Sequence, residues 1–183
     1  IDSIQLIQMV KQMRDEGIFQ GGAEIDTPPR MFIGAAANPF ADPFELRVAR
    51  FAKKVAAGVD FIHTQCIYNV DKFEQSLEGV CARGLHEKSA ILAGITPMKS
   101  VGMARYMKNK VPGMDVPQAL VDRMGGVPKE KQAVEGLKIC VETIQRLKEL
   151  PGVAGFHIMA IECEQKVPEI VEKSGLYPRP KPN

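Results

Sequence analysis

The sequence contains no tryptophan and few other aromatic residues, and it lacks several patterns that would assign it to a class at once. No apolar run approaches the roughly 18 residues that a membrane-spanning helix needs. The net charge of +2 is too small to predict binding to nucleic acid or to an anionic membrane surface. With 45% hydrophobic and 25% charged residues, the composition is that of an ordinary globular protein.

Cysteine is also scarce, with four residues that show neither CxxC pairing nor regular spacing: Cys66, Cys81, Cys140 and Cys163. This pattern predicts free thiols in a reducing cytoplasm. Cys66 and Cys163 lie near the ends of predicted strands, where a small core residue is commoner than a catalytic thiol. No group of histidine, cysteine and carboxylate residues has metal-ligand spacing, so no metal site is predicted.

Short apolar segments alternate along the chain with longer amphipathic ones. The apolar segments predict strands at residues 31–37, 59–64, 90–95 and 153–159. The amphipathic segments predict helices at residues 1–13, 43–57, 70–83, 100–108, 118–124, 130–150 and 167–174. The first strand, MFIGAAA, is apolar throughout and is expected to be buried on both faces. Residues 176–183 carry three prolines and are expected to form a loose end.

Four strands separated by helices predict an α/β protein with a parallel sheet and right-handed crossovers. Either a small doubly wound sheet or half of a (β/α)8 barrel would fit this pattern. No glycine-rich phosphate loop follows a strand, which weakens the dinucleotide-fold alternative. A complete barrel has eight strand–helix units and takes about 250 residues. The four strand–helix units predicted here would therefore form about the second half of one. The chain opens on a helix without an initiator methionine, which predicts part of a longer protein, with N-terminal processing as the alternative.

The stretch VDFIHTQCIYNVDKF, residues 59–73, carries the strongest functional pattern. An apolar strand ends there on polar Thr64 and Gln65, and ligands of parallel α/β proteins bind at the carboxyl ends of strands. The Gln65 amide both donates and accepts hydrogen bonds. An ordinary strand-to-helix turn with a capping residue is the alternative. His63 points to the opposite face from Thr64, and packing is the commoner role for it and for His157.

A basic cluster lies on the second predicted helix, where Arg50 and Lys54 share a face and Lys53 adjoins them. Cations at these positions can neutralise a diphosphate. A solvated basic face is an equally good interpretation of the pattern alone.

Three segments together resemble the C-terminal half of methylenetetrahydrofolate reductase. They read FIGAAANPFADPFELRVARFAKKVAAGVDFIHTQCIYNVDKF, ILAGITPMKSVGMARYM and GVAGFHIMAIECEQKVPEIVEKSGL. The resemblance implies that residues 1–183 are one domain, strands five to eight of a (β/α)8 TIM barrel. It also implies a flavin, usually FAD with FMN possible, and NADH or NADPH as reductant. The implied reaction converts 5,10-methylenetetrahydrofolate to 5-methyltetrahydrofolate in one-carbon metabolism and methionine biosynthesis.

The resemblance also implies roles for single residues. Gln65 matches a glutamine that hydrogen-bonds the pterin of the folate. Asn38 and the proline after it match a turn that contacts the flavin, and Asp42 occupies a position often held by histidine. Basic residues that face the cofactor's phosphates and ribose are matched by Arg50, Lys53 and Lys54. The family's catalytic glutamate and flavin-tuning aspartate belong to the first four strands, so no catalytic residue is assigned here.

Three positions depart from the pattern of the enterobacterial enzymes. Asn69 replaces an acidic residue, Met103 a glutamine and Cys163 an arginine near the folate. The residues that match flavin contacts therefore agree with the family pattern better than those that match folate contacts. A non-catalytic half-barrel that binds flavin or pterin, or a truncated fragment that needs a partner, is the alternative function. Expected partners are a second copy, the missing half of the barrel or other one-carbon enzymes.

Overall fold

The structure of this protein is a computed structural model that describes residues 1–178. One parallel sheet of four strands has the order β1-β2-β3-β4, the order in which they follow along the chain. The strands are β1 (Gly34–Ala37), β2 (Phe61–Cys66), β3 (Ala90–Ile95) and β4 (Val153–Ile158). The predicted α/β class and the parallel sheet are therefore confirmed. Most of the predicted loose end lies outside the described residues.

Seven α-helices accompany this sheet within residues 1–178: α1 (Ser3–Asp15), α2 (Glu45–Ala57), α3 (Val70–Cys81), α4 (Val101–Lys110), α5 (Gln118–Gly125), α6 (Gln132–Lys148) and α7 (Val167–Lys173). Their number and order agree with the prediction, and most ends differ from the predicted ones by one or two residues. Pro43 was expected at the first helical position, but α2 begins two residues later, at Glu45. None of the described helices is long and apolar enough to cross a membrane.

Side-chain caps fix where three of the helices begin. The Asp2 side chain accepts hydrogen bonds from the backbone of Ile4 and Gln5, and Gln5 Oε1 accepts one from Asp2 N. Asn69 caps α3 and Ser100 caps α4 through their side-chain oxygens. These bonds satisfy backbone N–H groups that a helix leaves unpaired at its first turn.

Strand β1 corrects the expectation of burial on both faces. Its residues alternate between exposed and partly buried, and Phe32, just before it, is 84% exposed. β1 is an edge strand, and Ala35 and Ala37 pack against the core while Gly34 and Ala36 face away from it. An apolar run shows that a strand tolerates burial, but neighbouring elements decide whether both faces are covered.

The main core lies between the helices and one face of the sheet. Ile62, Ile91 and Ala93 contribute from the strands, and Ile144 and Leu147 from α6. A second, methionine-rich cluster forms beyond the carboxyl ends of β2 and β3. The opposite face of the sheet is only partly buried, and its side chains are Phe61, His63, Leu92 and His157. That face leads into the candidate site.

Candidate functional site

A cavity of about 350 Å³ lies at the carboxyl ends of β1 and β2, beside α2 and next to the end of β4. Three kinds of polar side chain line it: amides, imidazoles and cations. Those that matter to its chemistry are Asn38, Arg47, Arg50, Lys54, Gln65 and the two histidines His63 and His157. The cavity is therefore where the sequence pattern predicted a ligand site.

The end of β2 owes its shape to a bulge. His63 pairs with Leu92, but Cys66 pairs with Gly94, so β2 has one extra residue over this interval. The Thr64 hydroxyl bridges the irregularity: it accepts from Gly94 N and donates to Gln65 O, both at 2.9 Å. A Cβ at Gly94 would lie 2.3 Å from Thr64 O, so only glycine fits there. Such bulges redirect side chains at the ends of strands.

Gln65 is half-buried in the cavity wall. Its Oε1 accepts a hydrogen bond from Cys66 N at 3.2 Å, which fixes the side chain close to its own backbone. Its Nε2 donates to no group within residues 1–178 and remains available to an acceptor atom of a ligand.

The basic side of the cavity is one face of α2. Arg47, Arg50 and Lys54 lie three and four residues apart, the spacing of side chains on a single helix face. Arg47 Nη2 donates to Asp42 O at 2.9 Å, and Lys54 Nζ donates to Ala36 O at 2.5 Å. Burial, and then the charge of Arg50, lower the pKa of Lys54. Arg47 and Lys54 are therefore held at the cavity by backbone oxygens, and neither has a carboxylate partner among the lining residues.

Four of the six predicted site residues line this cavity, and two do not. Asn38, Arg50, Lys54 and Gln65 meet there. Asp42 is exposed and contributes only its carbonyl oxygen, to Arg47. Lys53 is also exposed, because neighbouring residues on a helix point about 100° apart.

Sequence reasoning did not single out Arg47, although the spacing of Arg47, Arg50 and Lys54 already follows one helix face. It also gave no reason to join His63 and His157. Their rings stack with centroids 4.8 Å apart and planes tilted by 24°. Burial, and then His157 and Lys54, lower the pKa of His63.

Asn38 is held in place from both sides. Its Oδ1 accepts from Phe40 N at 2.9 Å, and a Cβ at Gly113 would lie 1.9 Å from its Nδ2. Gly113 belongs to the loop of residues 111–117, which Asp115 ties down by accepting from Asn69 Nδ2 at 3.1 Å and Lys72 Nζ at 2.8 Å. Burial opposes ionisation of Asp115, but Lys72 and Asn69 outweigh it and lower the pKa of that carboxyl.

Comparison with known families decides where this chain belongs. Residues 4–175 match the family model for methylenetetrahydrofolate reductase. The chain belongs to the methylenetetrahydrofolate reductase family. The match covers nearly all of the described residues, so the cavity at the carboxyl ends of β1 and β2 is built from the family's own segment.

Two relatives show how much of a methylenetetrahydrofolate reductase is represented. Methylenetetrahydrofolate reductase 2 of Schizosaccharomyces pombe is 30% identical over 131 residues, covering 68% of this chain and 20% of the relative. A probable methylenetetrahydrofolate reductase (NADPH) of Caenorhabditis elegans is 23% identical over 151 residues, covering 79% of this chain and 22% of the relative. The chain thus spans about a fifth of the length of these relatives.

A solved structure supports the fold independently. It is an uncharacterised protein from Clostridium thermocellum described as binding two copies of 5-methyl-5,6,7,8-tetrahydrofolic acid. The two structures align with a TM-score of 0.53 and 18% sequence identity, over 82% of this chain and 55% of the other. The likeness shows that the two proteins share a fold.

Proposed function

We propose that this chain supplies part of the flavin and folate site of an enzyme that reduces 5,10-methylenetetrahydrofolate to 5-methyltetrahydrofolate. The observation that carries the proposal is the composition of one cavity. Three cations on one face of α2 meet the Gln65 amide at the end of β2. The family supports the reaction, and the name of the Caenorhabditis elegans relative supports NADPH as the reductant, with NADH as the alternative.

The basic face of α2 fits the phosphate part of a flavin nucleotide. Arg47, Arg50 and Lys54 point into one cavity and have no carboxylate partner in its lining, so their charge is available to an anion. Charge-assisted hydrogen bonds from such groups are among the stronger ones in proteins. FAD is the proposed cofactor and FMN the alternative. A bound flavin would supply hydride transfer between the reductant and the folate.

Gln65 and Asn38 fit the heterocyclic part of the ligands. Gln65 presents its free Nε2 where β2 ends, and Asn38 presents an amide held in place by Phe40 and the loop of residues 111–117. Gln65 is the proposed contact to the pterin of the folate, and Asn38 a proposed contact to the flavin. The tetrahydrofolate bound by the protein from Clostridium thermocellum supports a pterin ligand.

The four strands are proposed to be the fifth to eighth strands of a (β/α)8 barrel. Their sheet face with Phe61, His63 and Leu92 is only partly buried within residues 1–178. Four further strands would cover this face and pair with β1 and β4, the two edges of the sheet. The chain's share of its relatives' length leaves room for such strands in them.

One observation favours the alternative of a binding module without catalysis. No aspartate or glutamate is among the residues that line the cavity in the described part of the chain. General acid catalysis at this cavity therefore needs a proton donor from another segment or subunit, or from one of the two histidines. Without such a donor, the site would bind flavin or pterin and do no more.

The test uses two neighbouring lysines as a matched pair. Replacing Lys54 by Ala removes a cation that faces the cavity, whereas Lys53→Ala removes one that does not. A lost charge-assisted hydrogen bond costs about 1.5–3 kcal/mol, so Lys54→Ala should weaken flavin binding at least about tenfold. Lys53→Ala should leave flavin affinity unchanged. Both affinities are measured by quenching of flavin fluorescence.

A further variant separates a lost ligand contact from a damaged fold. Lys54 also bonds to Ala36 O, so its removal can disturb α2, whereas Arg50 is exposed and its replacement leaves that bond intact. Arg50→Ala should also weaken flavin binding without changing the thermal unfolding temperature. Flavin affinity as in the wild type for both Lys54→Ala and Arg50→Ala would refute the assignment of this face.

A further inference from the structure

The stacked histidines come from strands that are not neighbours in the sheet. His63 is on β2 and His157 on β4, and β3 runs between them. Gly94 of β3 is the register partner of His157, and it has no side chain to separate the two rings. The contact at 4.8 Å therefore follows from a glycine at the centre of the sheet face. The pair lies in the wall of the cavity that holds the cations of α2.

The two imidazoles have nitrogen atoms without protein partners. His157 Nδ1 is buried and has no hydrogen bond, and no described residue bonds to the His63 ring. Most buried polar atoms in proteins are paired, so an unpaired one on a residue that lines a cavity calls for an explanation. An imidazole nitrogen can bind a proton or accept a hydrogen bond from a ligand.

The charges around the pair all have the same sign. The facing charged groups are Arg47, Arg50 and Lys54 of α2, while β1 and β3 contribute Ala36, Leu92 and Gly94, which do not titrate. Burial, then the neighbouring imidazole and then Lys54 lower the pKa of His63. Protonation of His63 is therefore opposed both by burial and by like charges.

We propose that the His63–His157 pair takes up a proton from solvent when an anionic group, such as a phosphate, enters the basic cavity. The anion neutralises the field of the cations, so the charged form of an imidazole becomes more favourable. The protonated pair then adds a donor and a positive charge to the site. The inference rests on the part of the proposed function that places an anion beside α2, and it does not depend on which ligand carries that anion.

The coupling between anion binding and proton uptake fixes how anion affinity depends on pH. A group whose pKa rises on binding makes binding tighter as the pH falls toward its ordinary value, which is about 6.5 for histidine. A unit charge several ångströms away shifts such a pKa by about half a unit or more. A pKa that rises by half a unit on binding corresponds to about a threefold gain in anion affinity when the pH is lowered from 7.5 to 5.5. Arginine and lysine stay charged throughout this range, so they give no such slope.

The direct test follows the imidazole resonances by nuclear magnetic resonance. The chain has three histidines, and His86 lies outside the cavity and serves as an internal reference. Sulfate is the probe, since it does not titrate in the relevant range. With sulfate, the titration midpoint of His63 should rise by about half a pH unit. Equal midpoints with and without sulfate, or no binding of sulfate near α2, would overturn the inference.

A second measurement uses variants. His63→Gln and His157→Gln keep polar side chains in place but cannot take up a proton. Sulfate affinity should still be measurable in each, but its roughly threefold gain at pH 5.5 should be reduced or absent. An unchanged gain in both variants would overturn the inference. Flavin affinity at pH 7.5 is measured in parallel, so the proposed flavin site can fail while this proton linkage stands, or the reverse.

Discussion

At the scale of the residue, the candidate site depends on a few hydrogen bonds at the end of β2. The Thr64 hydroxyl replaces a ladder bond at the bulge, and Gly94 leaves the space that the bulge needs. Gln65 is aimed into the cavity as a result. The position of the Gln65 amide at the end of β2 therefore depends on the buried Thr64 hydroxyl and on the absence of a side chain at Gly94.

Thr64→Val tests that hydroxyl. Valine has nearly the same shape but leaves Gly94 N without its acceptor in a buried position. Stability should fall by about 1–3 kcal/mol, the usual cost of a buried group left unpaired. The free energy of unfolding in urea is the measurement. Thr64→Ser, which keeps the hydroxyl and loses a methyl group, is the control and should cost about 1 kcal/mol or less. A valine variant as stable as the serine variant would contradict this role.

Gln65→Ala tests the folate contact. Loss of the amide leaves pterin atoms unpaired in a partly buried site, at a cost of about 1–3 kcal/mol or roughly 5- to 150-fold in affinity. Calorimetric titration with 5-methyltetrahydrofolate measures it, and flavin affinity should stay near that of the wild type. Gln145→Ala is the control, because that side chain bonds to Ser174 O outside the cavity. Equal losses for flavin and folate would make Gln65 structural, and no loss would place the folate elsewhere.

At the scale of the element, two pieces present the site. Helix α2 carries its cations on one face, and the loop of residues 111–117 supports Asn38 through Gly113. That loop is far from Asn38 in sequence, and the bonds from Lys72 and Asn69 to Asp115 hold it. Asn69 contributes twice, since it caps α3 and also bonds to Asp115.

Asp115→Asn tests this attachment through its pH dependence. The carboxyl is partly buried, so the variant should lose about 0.5–1 kcal/mol of stability at pH 7. The pKa of Asp115 is lowered in the folded state, so its contribution is present above the ordinary value of 3.8 and is lost as the pH falls below it. Urea unfolding at several pH values measures both effects.

A surface ion pair supplies the control for that measurement. Asp71 pairs with Arg146, but their side chains are 77% and 58% exposed. Asp71→Asn should therefore change stability by less than about 0.5 kcal/mol. A stability difference for Asp115→Asn that persists undiminished at pH 3 would show that the carboxylate charge does not hold the loop.

At the scale of the whole molecule, the described sheet has two unpaired edges and one partly exposed face. β1 and β4 are the edges, and Phe61, His63 and Leu92 lie on the face. Open strand edges invite pairing with other chains. The chain by itself should therefore dimerise or aggregate, or bind the remaining strands of a barrel when these are supplied.

Sedimentation velocity measures this association. Ala154→Lys places a charge on exposed β4 and should weaken self-association, since charged side chains blunt strand edges. Ala56→Lys, an identical change at an exposed position of α2, is the control and should leave association unchanged. A monomer of about 20 kDa at high protein concentration would contradict the prediction.

The sequence by itself determined the α/β class, the four parallel strands and the polar residues near the end of β2. These features follow from local pattern, namely apolar runs and helical spacing. Resemblance added the family, which the match over residues 4–175 confirmed. The predicted roles of Asn38, Asp42 and Lys53 toward a flavin stay predictions.

Only the tertiary structure decided which side chains share the cavity. Arg47 lines the cavity and Lys53 does not, because each residue of a helix is rotated by about 100° from the one before it and only one face of α2 is directed at the cavity. One side of β1 is exposed, because the burial of a strand depends on which elements pack against it and not on its own residues. The tertiary structure also joined His63 to His157 across Gly94, a contact between residues 94 positions apart that no local pattern encodes.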